Sequence, residues 1–241
     1  MLAVAGGKGG AGKTTTTLGL AAALGRQRRT VVAVDADREM PDLHAMSGVA
    51  RTPGLDAVAA GWPAELVAGP ADPPTAGVDV LPAGTGPPSA GSGAVDRGTD
   101  RAADRRTAGT ESSLARVRGV ADAVLVDCPA GAGPDAVAPL RAADAAVIVT
   151  TTDPDCLRDA AKTAAMAREL DAPVAGAVVS RADETPSGVG RLLDCPVLGD
   201  VPDAGIDSRT TSVGRGVEPL DDDEVRAAHD RLVSALQPKY L

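Results

Sequence analysis

In 241 residues the chain has no phenylalanine, one tryptophan (Trp62) and one tyrosine (Tyr240). A core without aromatic bulk must be assembled from Val, Leu, Ala and Ile, which suits Val-rich buried strands covered by Ala-rich helices. Lysine is almost as scarce, limited to Lys8, Lys13, Lys162 and Lys239. Asp and Glu total 33 against 24 Lys and Arg, and the resulting net charge of −9 works against any broad attraction to nucleic acid or anionic lipid. Cysteine is limited to Cys128, Cys156 and Cys195, with no C-x-x-C pair. That spacing argues against a disulfide framework or a cysteine zinc site, and fits a reducing compartment. No apolar run approaches the length of a membrane span, and the short run Leu2–Ala5 leads straight into glycines rather than a cleavage site. The expected location is cytoplasmic.

What is present is acid, alanine and glycine. The acidic, lysine-poor balance has two sources open to it. One is a salt-loving archaeal cell, where molar salt shortens the Debye length to about 3 Å and screens self-repulsion. The other is a GC-rich genome that favours Ala, Gly, Arg and Asp codons.

Short Val-rich runs alternate with longer helical patterns, the signature of repeated βαβ units. Strands are expected at Leu2–Ala5, Thr30–Val34, Val78–Leu81, Ala123–Val126, Ala145–Thr150, Val174–Val179 and Val197–Leu198. Helices are expected at Lys13–Leu24, Leu55–Ala60, Pro134–Ala142, Leu157–Leu170, Ser187–Leu193 and Asp222–Leu236. The runs lack polar alternation, as in a parallel sheet covered on both faces. The fold class is therefore α/β, a single doubly wound, mostly parallel sheet in one domain spanning residues 1–241. Residues 83–113, rich in Gly, Pro, Ser, Asp and Arg, interrupt the rhythm and read as a long flexible loop, because they offer too little apolar surface to offset ordering entropy.

The strand LAVAG, then GGKGGAGKTT and a helix, is the context a phosphate-binding loop requires. Gly7, Gly9, Gly10 and Gly12 let successive backbone N–H groups turn onto a polyphosphate, with Ala11 filling the loop and the helix N-terminus adding its positive end. Lys13 is placed to reach the β- and γ-phosphates, and the hydroxyl of Thr14, followed by Thr15, to take a Mg2+ position. Lys8 is then a second lysine in a loop that needs only one.

Two further carboxylate motifs follow strands. VVAVDAD ends in Asp35 and Asp37, and AVLVDCPAGAG carries Asp127 at a buried strand end followed by Pro129 and Gly131. Ligands in doubly wound sheets bind beyond the strand ends where such residues lie. Cys128 has no histidine near it in sequence and reads as a packing residue.

The three motifs in this order resemble the MinD/ParA family of deviant Walker A ATPases, in particular its archaeal MinD-like members. The resemblance implies ATP and Mg2+ as cofactors, with Lys13, Lys8 and Asp37 as catalytic residues. Lys8 would act across a face-to-face dimer on the phosphates bound by the other subunit. Asp37 would set the attacking water, Thr14 would hold the metal directly, and Asp35 and Asp127 would hold it through water. Asp35, Asp37, Asp127, Pro129 and Gly131 would form the two switches, and Pro202 and Asp203 in GDVPDAG would pack on the adenine. The chain departs from the family at Asp42, where Asn is usual, and at Ser180–Arg181, where relatives place an Asn that reads the base.

Asp159 reads either as a dimer or partner-surface residue or as a first-turn helix charge. Trp62 reads as a core-filling aromatic in preference to a partner anchor. The C-terminus has an acidic cap and apolar positions Val225, Ala228, Leu232 and Leu236 at helical spacing. That is a helix docked on the fold rather than a basic, bulky membrane anchor.

The implied function is a slowly hydrolysing ATPase switch. It would dimerise with ATP, contact an unidentified protein partner and position a cellular machine for division, motility or chemotaxis, or partition. A metal- or cluster-carrier ATPase and an ATP-dependent biosynthetic ligase of the same superfamily are the alternatives.

Overall fold

The computed structural model describes residues 1–72, 77–85, 99–203 and 220–241, with side chains left out at 99–106, 134 and 238. Its strands are β1 (Leu2–Ala5), β2 (Val31–Asp35), β3 (Gly69–Pro70), β4 (Val78–Leu81), β5 (Ala123–Asp127), β6 (Ala145–Thr150), β7 (Val174–Ser180) and β8 (Val197–Val201). They form one eight-stranded sheet in the order β3-β4-β2-β5-β1-β6-β7-β8, parallel except for the β3–β4 pair at one edge. The chain winds outward from β1 through β2 to β4, returns to β5, then continues past β1 on the other side. This reversal leaves the ends of β1, β2 and β5 adjacent, and each of the three carries one of the sequence motifs.

Both faces of the sheet are covered. Leu2 and Val4 of β1 pack with Leu20 and Leu24 of α1 (Lys13–Arg26) and with Leu232 and Leu236 of α9 (Asp223–Tyr240). Ala3 and Ala5 face the other way, onto Ala160, Ala164 and Ala167 of α7 (Pro154–Glu169) and Leu193 of α8 (Val189–Leu193). Beside them, Val32, Val34, Val124 and Val126 pack with Leu55 and Val58 of α3 (Leu55–Ala59) and Leu114 and Val117 of α5 (Thr99–Val117). Leu20 and Leu24 are fully buried, and each such side chain contributes about 1.5–3 kcal/mol by leaving water. Small Ala faces on α7 let helix and sheet approach closely, which is how a core without phenylalanine closes.

The remaining helices are α2 (Leu43–Met46), α4 (Ala64–Val67) and α6 (Pro134–Ala142). Helix α9 starts on Asp222, whose carboxylate accepts the N–H groups of Glu224 at 2.8 Å and Val225 at 3.0 Å. Val225, Ala228, Leu232 and Leu236 are all buried, so this helix docks on the fold as its spacing predicts. Among the described residues no helix is long and apolar enough to cross a membrane.

Two expectations are corrected. Residues 99–113 are not loop: they belong to helix α5, whose buried positions Thr110, Ser113, Leu114 and Val117 recur at helical spacing. Half of that inner face is polar and small, so the apolar signal is weak, and packing on α3 and α6 decides the outcome. Residues 86–98 of the expected loop lie outside the described residues. Trp62 is not core: it is 56% exposed. It follows Gly61, which turns the chain at φ 104°, and the next helix turns Ala64 and Val67 inward and leaves Leu66 outside.

Candidate functional site

The phosphate loop is shaped by close contacts at its glycines. A Cβ on Gly7 would fall 2.1 Å from the backbone of Asp159 in α7, so the loop lies directly on that helix. Gly12, at φ 91°, is the N-cap of α1 and supplies no side-chain cap. The first turn of α1 carries no acid, so its positive end and free N–H groups are left for an anion. Lys13, at the first helical position, is 8% exposed, and its ammonium lies 3.5 Å from the Lys8 carbonyl oxygen.

The carboxylates converge from neighbouring strands. Asp35 and Asp127 are register partners at the ends of β2 and β5. Asp35 is fully buried and accepts N–H bonds from Asp37 at 3.0 Å and Leu43 at 3.2 Å. Burial and then the neighbouring Asp127 raise its carboxyl above the ordinary value. Burial raises Asp127 as well, against the Thr14 hydroxyl and the Lys13 charge, which lower it. One oxygen of Asp127, Oδ1, is buried with no hydrogen-bond partner among the described residues. Two buried carboxylates beside a hydroxyl, one with an orphaned oxygen, are a fit for a hydrated divalent cation held by Thr14. Among the described residues no group of three or more His, Cys, Asp or Glu forms a metal cage, so phosphate and water would complete such a site.

Asp37 accepts from Met40 at 2.9 Å and Glu39 at 3.2 Å, pinning a turn that lines the cavity. Gly131, at φ 84°, donates its N–H to the Gly6 carbonyl at 3.1 Å, tying the loop after β5 to the phosphate loop. Cys128 is buried, with its thiol pushed up mainly by burial, which fits a packing residue.

A cavity of about 440 Å³ joins Gly9, Gly10, Gly12, Lys13, Thr14, Thr15, Asp37, Asp127, Pro202 and Asp203. Asp35 and Ala11 are buried and do not line the cavity, and Pro129 lines an adjoining pocket with Arg38, Met40 and Ala136. Lys8 is absent from the cavity. It is exposed and lines an open pocket on the α7 side with Thr151, Thr152, Asp153 and Cys156. Asp159 is not in the first turn of α7, where the acid is Asp155, and it pairs instead with Lys162 at 2.8 Å. Ala204 and Gly205 of the expected base loop lie outside the described residues.

Sequence reasoning missed Met40 and Met46 in the cavity wall, which belong to none of the three motifs, and gave no task to Ala130 between Pro129 and Gly131. It also left Arg181 without a task, although its guanidinium donates to the Gly10 carbonyl and lines both pockets.

Comparison with known proteins agrees with this geometry. The chain matches the family described as the CobQ/CobB/MinD/ParA nucleotide binding domain over residues 2–205. It is 29% identical over 208 residues to an uncharacterized ATP-binding protein of Methanocaldococcus jannaschii, covering 84% of this chain and 74% of that protein. It is 30% identical over 220 residues to the septum site-determining protein MinD of Synechocystis, covering 84% and 76% respectively. Its fold superposes on MinD of Pyrococcus horikoshii, solved in complex with Mg-ADP, with a TM-score of 0.77 at 26% identity, covering 98% of this chain and 95% of that one. With the motifs, the sheet order and the matched span in agreement, this chain belongs to the CobQ/CobB/MinD/ParA family of nucleotide-binding proteins.

Proposed function

We propose that this protein is a slow ATPase that binds Mg·ATP, closes into a dimer of identical chains and opens again on hydrolysis. Its output would be nucleotide-dependent contact with a partner protein that positions a cellular machine in division, motility or chemotaxis, or partition. The observation that carries this reading is the division of labour between the two loop lysines. Lys13 is buried in the cavity, whereas Lys8 is exposed outside it, where it can serve a nucleotide held by a second copy.

In one protomer the glycine amides, the open N-terminus of α1 and Lys13 hold and neutralise the polyphosphate. Thr14 would hold Mg2+ directly, with Asp35 and Asp127 orienting its waters; when bound, the cation supplies further charge neutralisation on the phosphates. That Mg-ADP is named in the P. horikoshii MinD complex supports this assignment. Asp37 would orient the attacking water, and Gly131 of the second switch would sense the nucleotide state, a role its bond to Gly6 of the phosphate loop supports. Most of the catalysis is positioning and charge neutralisation, which is what phosphoryl transfer demands.

The test is phosphate release from ATP with Mg2+ over a range of protein concentrations. A dimeric active form gives a rate per protomer that rises with concentration, and Lys8→Ala removes the rise. A rate per protomer that is constant and indifferent to Lys8 would sink the dimer reading.

A further inference from the structure

We infer that the base subsite of this protein accepts guanine, read by the Asp203 carboxylate with a donor from Arg181, so that guanine nucleotides compete with adenine nucleotides for the cavity. This rests on the reading above that the cavity binds a purine nucleotide.

The chain contains no asparagine and only two glutamines. Those two, Gln27 at the C-cap of α1 and Gln237 on α9, hydrogen-bond to each other. The 14 residues of α1 separate Gln27 from the phosphate loop, about 21 Å at the helical rise. No side-chain amide therefore reaches the cavity, and a second copy of the chain has none to lend. An amide sets one donor beside one acceptor in a neutral group, the combination that pairs with adenine N6 and N7. Selection for adenine by that route is closed to this protein.

The cavity offers a different pair. Its β7–β8 wall carries Ser180, Arg181, Pro202 and Asp203, two to three strand spacings from β1, or about 10–14 Å. That separation suits a base whose phosphates lie on the loop after β1. Arg181 is anchored by one N–H on the Gly10 carbonyl and keeps four further donors. Asp203 is exposed just beyond β8 and accepts only. Among the described residues no ion pair joins it to Arg181, so each retains its capacity for a ligand.

Guanine presents O6 and N7 as acceptors and N1–H with N2–H2 as adjacent donors. Arginine pairs with the first edge, and a carboxylate takes both donors of the second. Adenine gives the same carboxylate a single N6 donor and turns the N1 lone pair toward its other oxygen. Among the described residues the polar side chains of this wall thus favour guanine at least as much as adenine.

The test is calorimetric titration of the whole chain with Mg2+ and ADP, GDP or IDP, the last lacking the N2 amino group. GDP is expected to bind no worse than about tenfold below ADP, with IDP weaker than GDP. Asp203→Ala should weaken GDP by about tenfold or more while moving ADP less than about threefold. ADP binding with GDP more than about tenfold weaker, or an equal loss of both in Asp203→Ala, overturns the guanine inference and leaves the nucleotide reading intact. Binding of neither overturns both.

Discussion

The ammonium of Lys13 lies 3.5 Å from the backbone carbonyl of Lys8, while the side chain of Lys8 is exposed in a separate pocket beside Asp153. One loop thus directs its two cations to two different places. Lys13→Ala should lose most nucleotide affinity, on the order of a hundredfold, by removing the buried charge that faces the phosphates. Lys8→Ala should bind ADP within about threefold of wild type, because its side chain does not line the cavity. Calorimetry on both variants checks the contrast.

The strands were legible in the sequence because most are short Val- or Ala-rich runs buried on both faces, β8 with its partly buried Val197–Asp200 being an exception, and all seven expected runs form strands. The candidate site was legible where a motif fixes the residue type: the glycines and Lys13 of the loop after β1, and the carboxylates ending β2 and β5. What was not legible depends on distant neighbours. The inner face of α5 holds Thr110 and Ser113, so nothing local marks it as helix; Arg116 donating to the Val58 carbonyl at 2.7 Å is one of the contacts that secure it. The register that sets Asp35 beside Asp127 is likewise a property of the sheet rather than of either motif.

The contact between Gly7 and α7 predicts a steric rather than an electrostatic lesion. A methyl at Gly7 would lie 2.1 Å from backbone atoms that cannot swing away. Gly7→Ala is expected to destabilise the fold by about 1–3 kcal/mol. Gly9, whose Cβ would meet nothing within 4 Å, is the control, and Gly9→Ala should leave the urea midpoint unchanged. Equal midpoints for the two variants would contradict the packing.

His229 on α9 is fully buried against α1, where a Cβ at Gly19 would come within 2.2 Å of its ring. Its Nδ1 meets the Val225 carbonyl at 2.8 Å, and Nε2 has no partner among the described residues. Burial, the main cause, and the nearby Arg26 lower its pKa, while the Val225 carbonyl and Asp230 raise it. The folded value lies below the unfolded 6.5, so its contribution is complete above pH 6.5 and is lost as pH falls below it. The loss approaches about 1.4 kcal/mol per pH unit once the unfolded histidine is protonated. Stability of wild type minus His229→Leu, followed by urea unfolding from pH 7.5 to 5, should fall with that slope. A flat difference would contradict a neutral buried histidine.

The net charge of −9 predicts a salt requirement for folding. Raising KCl toward 1 M, where the Debye length is about 3 Å, should raise Tm by about 2–4 °C for each kcal/mol of relieved repulsion. Thermal melts in a KCl series check this, and a falling Tm would count against the salt-adapted reading of the composition.

The central claim, a switch closed by ATP through Lys8, is tested most directly by light scattering in high-salt buffer with Mg2+. Wild type, Lys8→Ala and Asp37→Ala are compared with ADP and with ATP. The account predicts a wild-type monomer with ADP, a dimer with ATP that Lys8→Ala abolishes, and a persistent dimer with ATP in Asp37→Ala. A monomer under every nucleotide, or a dimer indifferent to Lys8, would contradict it.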